Sequence, residues 1–331
     1  MTLTQSKSRD TSSTPPGPLI LYFTKLQIGS PPKDYHVQVD TGSDILWVNC
    51  IECDSCPKTS DLGIPLALYD PSESSSAKKV SCDDDFCKTT MDSAGNECKV
   101  GMSCLYTVTY GDGSGTAGYY VNDYLQLIQA SGDNQTKYVS GNVTFGCGAK
   151  QSGELGSSEQ ALDGILGLGQ SGGSILSQFA SEKKVKRMFS HCLSGSKGGG
   201  IFAIGEVVEP KVETTPMLKD ATHFNVEMTS IDVNGETLDI PKSLLDLVKK
   251  EGAIVDSGTT LAYFPAKIYN PLMEKIMAAQ PDNKPETIEK LFKCYRYSGN
   301  IDEGFPNVTF HFEDSLSLTV TPHQYFFEVE V

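Results

Sequence analysis

No run of apolar residues approaches the roughly 18 that a membrane-spanning helix requires, so no part of the chain reads as a transmembrane segment. Positive charge is also scarce. The 331 residues carry 27 Lys and Arg against 42 Asp and Glu, a formal net charge of −15. That balance argues against nucleic-acid binding, which wants a basic face. The same acidic surplus suits work in acid, where protonation moves the net charge towards zero and removes self-repulsion. The 5 histidines show no metal-ligand spacing. Residues 1–18 lack the basic-then-apolar order of a signal peptide. Rich in Ser, Thr and Pro, they read as a disordered tail, and a secreted reading implies a leader outside this sequence.

Cysteine, by contrast, is plentiful. Of 10 in the chain, 7 fall between Cys50 and Cys104, an insert-like cluster that reads as a disulfide framework built in an oxidising compartment. The spacing Cys50-x-x-Cys53-x-x-Cys56 also admits zinc, but no second paired half follows at finger or ribbon spacing. Glycosylation sequons at Asn134, Asn142 and Asn307 point the same way as the disulfides. A secreted or endomembrane/vacuolar location follows.

Short β-branched and aromatic runs broken by Gly, Asn and Asp dominate the rest. The run from Tyr22 reads as two strands around a Gly-Ser-Pro-Pro turn, with Tyr35, Val37 and Val39 alternating against His36 and Gln38. Helical periodicity is clearest around residues 174–185 and 268–280. The chain is therefore expected to be mostly β with a few short helices.

One phrase occurs twice: residues 39–44 read VDTGSD and residues 255–260 read VDSGTT. An Asp at the end of an apolar run costs burial energy, and either copy alone would read as a turn Asp capping its own loop. Two copies in matched settings suggest one site assembled from two halves. Two carboxylates brought together cannot both ionise easily, so they share a proton and their pKa values split. One can then act as general base on a bound water while the other donates a proton to a substrate carbonyl. Gly42 and Gly258 would let backbone approach the carboxylates. Ser43 and Thr259 could hydrogen-bond the Asp of their own loop, while Thr41 and Ser257 could tie the loops together.

These two loops resemble the active-site loops of pepsin-like aspartic proteases, a class long used to illustrate the shared-proton dyad. Other segments agree. The stretch YGDGSGTAG from Tyr110 resembles the flap hairpin, whose Tyr110, Gly111 and Asp112 would cover bound peptide. Trp47, the only Trp, stands seven residues after Asp40, where the family keeps a Trp that supports the flap Tyr. DGILGLG at 163–169 resembles the strand that crosses beneath the first Asp loop. The Cys-rich segment 50–104 resembles the insert of the plant nepenthesin-like branch. The resemblance covers residue 22 to the end.

It implies a bilobed, mostly β acid-protease fold, with an N-lobe over 19–208 and a C-lobe over 209–331. It further implies an aspartic endopeptidase with a polypeptide substrate, no cofactor or metal, and a monomeric state. The family pattern pairs Cys50 with Cys53, Cys56 with Cys147, Cys82 with Cys104 and Cys87 with Cys98, leaving Cys192 and Cys294 unpaired. It also places a second hydrophobic-Gly strand after the Asp256 loop. None follows before Val331, so an incomplete C-lobe is expected.

Three competing signals are present. Gly167-x-Gly169-x-x-Gly172 matches a dinucleotide fingerprint by letter, but no acidic residue follows at about 20 positions. GQSGG around Ser171 matches a nucleophile elbow, making a serine hydrolase the enzymatic alternative. An inert pepsin-like binding or inhibitor protein is the alternative outside enzymes, though such forms typically damage a catalytic loop and both loops are whole here.

Overall fold

The computed structural model describes residues 2–7, 20–91, 98–130, 136–159, 161–194, 199–207, 211–288 and 292–327. The fold is mostly β. It divides into two compact units. One is built mainly on Pro18–Glu209 with the loop Asp256–Thr260, the other mainly on Pro210–Val255 and Leu261–Val331. The second Asp loop thus groups with the first unit.

The first unit holds strands β1 (Thr2–Lys7), β2 (Ile20–Ile28), β3 (Lys33–Asp40), β4 (Leu46–Asp54), β5 (Lys78–Lys79), β6 (Leu105–Thr109), β7 (Gly115–Ala130), β8 (Thr136–Ser152), β9 (Gly164–Gly167), β10 (Phe189–Leu193) and β11 (Gly200–Ile204). Helices α1 (Asp85–Met91) and α2 (Ile175–Ser181) join them. The strands form one 11-stranded sheet in the order β10-β11-β1-β2-β3-β9-β4-β8-β7-β5, with β6 on β7 and a further β2–β7 pairing.

β3 shows why its sequence makes a strand. Tyr35, Val37 and Val39 are buried while Lys33 and Asp34 face water, the period-two pattern of a half-covered strand. The following strand is covered on both faces. Leu46, Val48 and Cys50 enter one core cluster and Trp47 enters a second, so β4 opens with a continuous apolar run. Between them β9 runs parallel to β3, with Asp40 opposite Gly167, and antiparallel to β4. A Cβ at Gly164 would strike the Trp47 carbonyl and one at Gly167 the backbone of Asp44 and Ile45. Glycine is what lets β9 thread there. Asp163, buried ahead of β9, accepts the backbone N–H groups of His36 and Ala67 at 2.7 and 2.6 Å. It thereby ties β9 to β3 and to the insert.

The second unit holds β12 (Asn225–Val226), β13 (Met228–Val233), β14 (Glu236–Thr237), β15 (Ala253–Ile254), β16 (Glu286–Ile288), β17 (Phe292–Cys294), β18 (Val308–Phe312) and β19 (Ser317–Val320), with α3 (Lys242–Glu251), α4 (Ala266–Ala278), α5 (Ile301–Gly304) and α6 (Pro322–Tyr325). Its main sheet has the order β14-β13-β18-β19. Ile268, Leu272 and Ile276 of α4, four residues apart, pack with Met228, Ile231 and Val233 of β13.

Two expectations need correction. Thr2–Lys7 is not an unstructured tail but strand β1, lying between β2 and β11. The edge of β2 offers unpaired backbone groups that an alternating Thr-containing segment can satisfy. The disulfide pairing also differs. The bonds are Cys50–Cys147, Cys53–Cys56, Cys82–Cys98 and Cys87–Cys104, not Cys50–Cys53, Cys56–Cys147, Cys82–Cys104 and Cys87–Cys98. The physical reason is burial. Val48 pairs in register with Cys147, which brings buried Cys50 beside Cys147 in the core, while Cys53 and Cys56 sit together at the half-exposed strand end. Likewise Cys87 and Cys104 both lie deep in the second cluster, whereas Cys98 sits at its rim. Cys192 (exposed) and Cys294 (half-buried) are in no disulfide.

Candidate active site

Strand β3 delivers Asp40 at its C-terminal end, where the chain leaves the sheet and Leu168 N–H donates to the Asp40 carbonyl at 2.8 Å. The Asp40 side chain is 5% exposed. The Gly42 N–H donates to its Oδ1 at 2.8 Å and the Ser43 hydroxyl donates to its Oδ2. The second loop repeats the arrangement. Gly258 N–H donates to Asp256 Oδ1 at 2.8 Å and Thr259 Oγ1 to Oδ2 at 2.6 Å.

The loops also hold each other. Ser257 N–H donates to Thr41 Oγ1 at 2.8 Å, Thr41 N–H donates to Ser257 Oγ at 3.3 Å, and Ser257 Oγ donates to the Val39 carbonyl at 2.9 Å. Gln38, which sequence reading treated only as the polar partner of two valines, donates its amide to the Gly258 carbonyl at 3.3 Å. Its position two residues before the Asp was the available signal.

Both glycines are forced. A Cβ on Gly42 would lie inside the Asp256 carboxyl group, and one on Gly258 inside that of Asp40. The carboxyls consequently come within hydrogen-bonding reach. Burial, and then the charge of Asp256, push the Asp40 pKa up to about 6, against the lowering effect of the Ser43 and Gly42 donors. A pair of this kind holds one proton between two oxygens over a span of acid pH.

Tyr110 closes the turn of the β6–β7 hairpin, its N–H donating to the Ser114 carbonyl at 2.8 Å. Asp112 Oδ1 accepts the Ser114 N–H at 2.9 Å and its hydroxyl at 2.7 Å, and Gly113 supplies the positive φ of 84° that the turn requires. Gly111 has open space where a Cβ would stand. Trp47 Nε1 donates to the Tyr110 hydroxyl at 2.7 Å. Burial, and also the Asp40 charge, raise the Tyr110 pKa, so the phenol stays protonated. The hairpin turn is thus linked through one indole to the strand that follows the Asp40 loop.

The competing signals resolve differently. Ser171 donates its N–H to Asp44 Oδ1 at 2.9 Å and accepts the Gly173 N–H, with no histidine bonded to it among the described residues. Gly167 and Gly169 are packed against Asp44 rather than opening a nucleotide cradle. Cys50, Cys53 and Cys56 are committed to disulfides. Asn142 and Asn307 are exposed, while Asn134 lies outside the described residues. Among those residues no helix is long and apolar enough to cross a membrane.

The family described as xylanase inhibitor N-terminal matches residues 22–206, and its C-terminal counterpart matches residues 223–331. Aspartic proteinase 39 of Arabidopsis thaliana is 51% identical over 310 residues, 94% of this chain and 64% of that protein. Aspartic proteinase 36 of the same plant is 50% identical over 309 residues, 93% and 64% of the respective chains. Aspartic proteinase nepenthesin-2 of Nepenthes gracilis is 30% identical over 259 residues, 75% and 53% respectively. The chain belongs to the plant pepsin-like aspartic protease family. It spans less than two thirds of the length of these relatives.

Proposed function

We propose that this chain carries the catalytic centre of an aspartic endopeptidase that hydrolyses peptide bonds in acid. The observation that carries the reading is the mutual clamping of two Asp-hydroxyl-Gly loops with their carboxyls in hydrogen-bonding reach. One proton is held by the dyad, favoured on the more buried Asp40. The Asp256 carboxylate accepts a proton from a water lying between the two, and that water attacks the scissile carbonyl as Asp40 protonates its oxygen. The resulting gem-diol collapses with proton transfer to the leaving nitrogen. Tyr110, Gly111 and Asp112 close over an extended peptide, and Ile45, Trp47 and Tyr110 favour bulky apolar side chains beside the cut. Four disulfides and the exposed sequons at Asn142 and Asn307 support a secreted or vacuolar glycoprotein.

An inert binding protein is the second reading, favoured by the inhibitor description of the matching family. Its weakness is that every donor to both carboxylates is present. Acid proteolysis of casein or haemoglobin, with and without pepstatin, separates the two. Pepstatin-sensitive cleavage that falls by several decades in Asp256→Asn supports the dyad. Full-rate cleavage by that variant refutes it, and absence of cleavage together with tight binding of a partner enzyme favours the inert reading.

A further inference from the structure

Four of the seven sulfurs in the insert form two adjacent disulfides, Cys82–Cys98 and Cys87–Cys104. Cys82, Cys87 and Cys98 place their Sγ atoms within 4.8 Å of one another, and the contact between the two bonds, Cys87 Sγ to Cys98 Sγ, is 3.6 Å. That is a sulfur–sulfur approach from which thiol–disulfide exchange proceeds once one partner is a thiolate. Access is graded. Cys87 and Cys104 are 1% and 0% exposed, Cys82 is 7% exposed, and Cys98 is half-buried at the rim. The quartet is also not isolated. Cys87 and Cys104 pack in one apolar cluster with Trp47, Tyr106 and Tyr120, against which Cys98 and Tyr110 are partly buried. Cys104 N–H donates to the Val80 carbonyl and its own carbonyl accepts from Tyr120, both at 2.8 Å, immediately before β6 leads to Tyr110.

We infer that this quartet is a thiol-exchange site, opened by a dithiol reductant at Cys98 and transmitted to Cys104 beneath the hairpin that carries Tyr110. One thiolate of the dithiol attacks Cys98 Sγ, forming a mixed disulfide and releasing the Cys82 thiolate. The second thiol of the reductant attacks its own sulfur in that bond, closing the reductant's disulfide and releasing the Cys98 thiolate. Cys98 then attacks Cys87 Sγ across the 3.6 Å contact. The Cys87–Cys98 bond forms, Cys87–Cys104 breaks, and Cys104 leaves as a thiolate that takes a proton. The balance is one dithiol oxidised, one protein disulfide reduced, and thiols at Cys82 and Cys104. The last step moves a charged sulfur at the rim into a neutral thiol in an apolar cluster, the form burial favours. It unties α1 from the residue preceding β6.

The test does not depend on peptide cleavage. In the folded chain, Cys192 and Cys294 are first blocked with N-ethylmaleimide. Limited dithiothreitol is added, new thiols are alkylated with iodoacetamide, and the products are mapped by peptide mass spectrometry. Label on Cys82 and Cys104, with a Cys87–Cys98 linked peptide and Cys50–Cys147 intact, is expected. Label on Cys82 and Cys98 with Cys87–Cys104 intact overturns the exchange. So does an unreacted quartet at dithiothreitol concentrations that open Cys53–Cys56. In the double variant Cys82→Ser/Cys98→Ser, labelling of Cys104 should fall at least about tenfold. Labelling equal to that of the parent chain would show direct reduction and overturn the route. Trp47, the single Trp, reports transmission. Its emission should shift as Cys104 becomes labelled, and an unchanged spectrum overturns the link to the hairpin.

Discussion

At the scale of single residues, the site rests as much on what Gly42 and Gly258 lack as on what the aspartates carry. Each glycine faces the opposite loop's carboxyl, and a methyl group has no room on either. Gly42→Ala must therefore push the Asp256 loop away or tilt the Asp256 carboxyl. Overpacking of this kind costs about 1–3 kcal/mol, and a displacement near 1 Å between reacting groups can cost on the order of 100-fold in rate. Gly42→Ala is expected to lose at least that much peptidase activity and a few degrees of melting temperature. Gly111→Ala, whose new methyl meets open space, should stay within about 1 °C of the parent in a thermal scan. Equal melting temperatures and activities for the two variants would contradict the crowding argument. This part was readable from sequence, because dyad chemistry dictates a small residue beside each Asp. Disulfide partners were not. Cysteines of one quartet allow three pairings, and the choice among Cys50, Cys53, Cys56 and Cys147 follows from the β4–β8 register, which no local spacing announces.

At the scale of elements, β9 and the β6–β7 hairpin hold the side chains around Asp40 in place. The family resemblance of 163–169 implied a strand beneath the first Asp loop, but not that β9 would pair parallel to β3 on one side and antiparallel to β4 on the other. That arrangement depends on residues more than 110 positions away, beyond any periodicity argument. The strand at Thr2–Lys7 was hidden for a similar reason, since its partners β2 and β11 decide it. The end of α2 is local: Lys183 adopts φ of 60°, which closes the helix. In the β6–β7 hairpin, Asp112 holds the turn through two bonds to Ser114. Asp112→Ala removes both and leaves the donors of buried Ser114 without that acceptor, for a stability loss of about 1–3 kcal/mol. A hairpin that samples more conformations raises KM and lowers kcat several-fold while the melting temperature moves by only a few degrees. Unchanged steady-state kinetics in that variant would remove Asp112 from the list of positioning residues.

At the scale of the whole molecule, the ionisable groups set a pH dependence whose sign can be worked out. The Asp40 pKa is raised from its ordinary 3.8 to about 6, by burial and then by Asp256. Between those values the unfolded chain has an ionised carboxylate while the native protein keeps the proton, so unfolding releases one. Stability is then full below about 3.8 and declines as pH rises towards 6, by at most about 1.4 kcal/mol per pH unit for one group. Asp163, raised first by burial against the donors Ala67 and His36, acts in the same direction. Asp34, lowered by Lys25 and Gln27, and Asp70, lowered by Ser72, act oppositely. So do Asp232, held down by Thr237 and His311, Asp302, held down by the His323 backbone and ring, and His191, whose imidazole is kept by burial from taking up a proton. Their stabilisation is present above the ordinary value and lost in stronger acid, and solvent screens these largely exposed groups. The net charge of −15 also favours acid, since protonation relieves repulsion in the compact state. Melting temperature should therefore fall from pH 4.5 to pH 6.5. Asp40→Asn separates the causes: it keeps the general charge effect but removes the buried acid, so its profile should be flatter over that interval. Parallel curves for the parent chain and Asp40→Asn would show that the dyad proton contributes nothing to folding. A parent curve rising across the interval would reverse the sign assigned to Asp40 and Asp163 together.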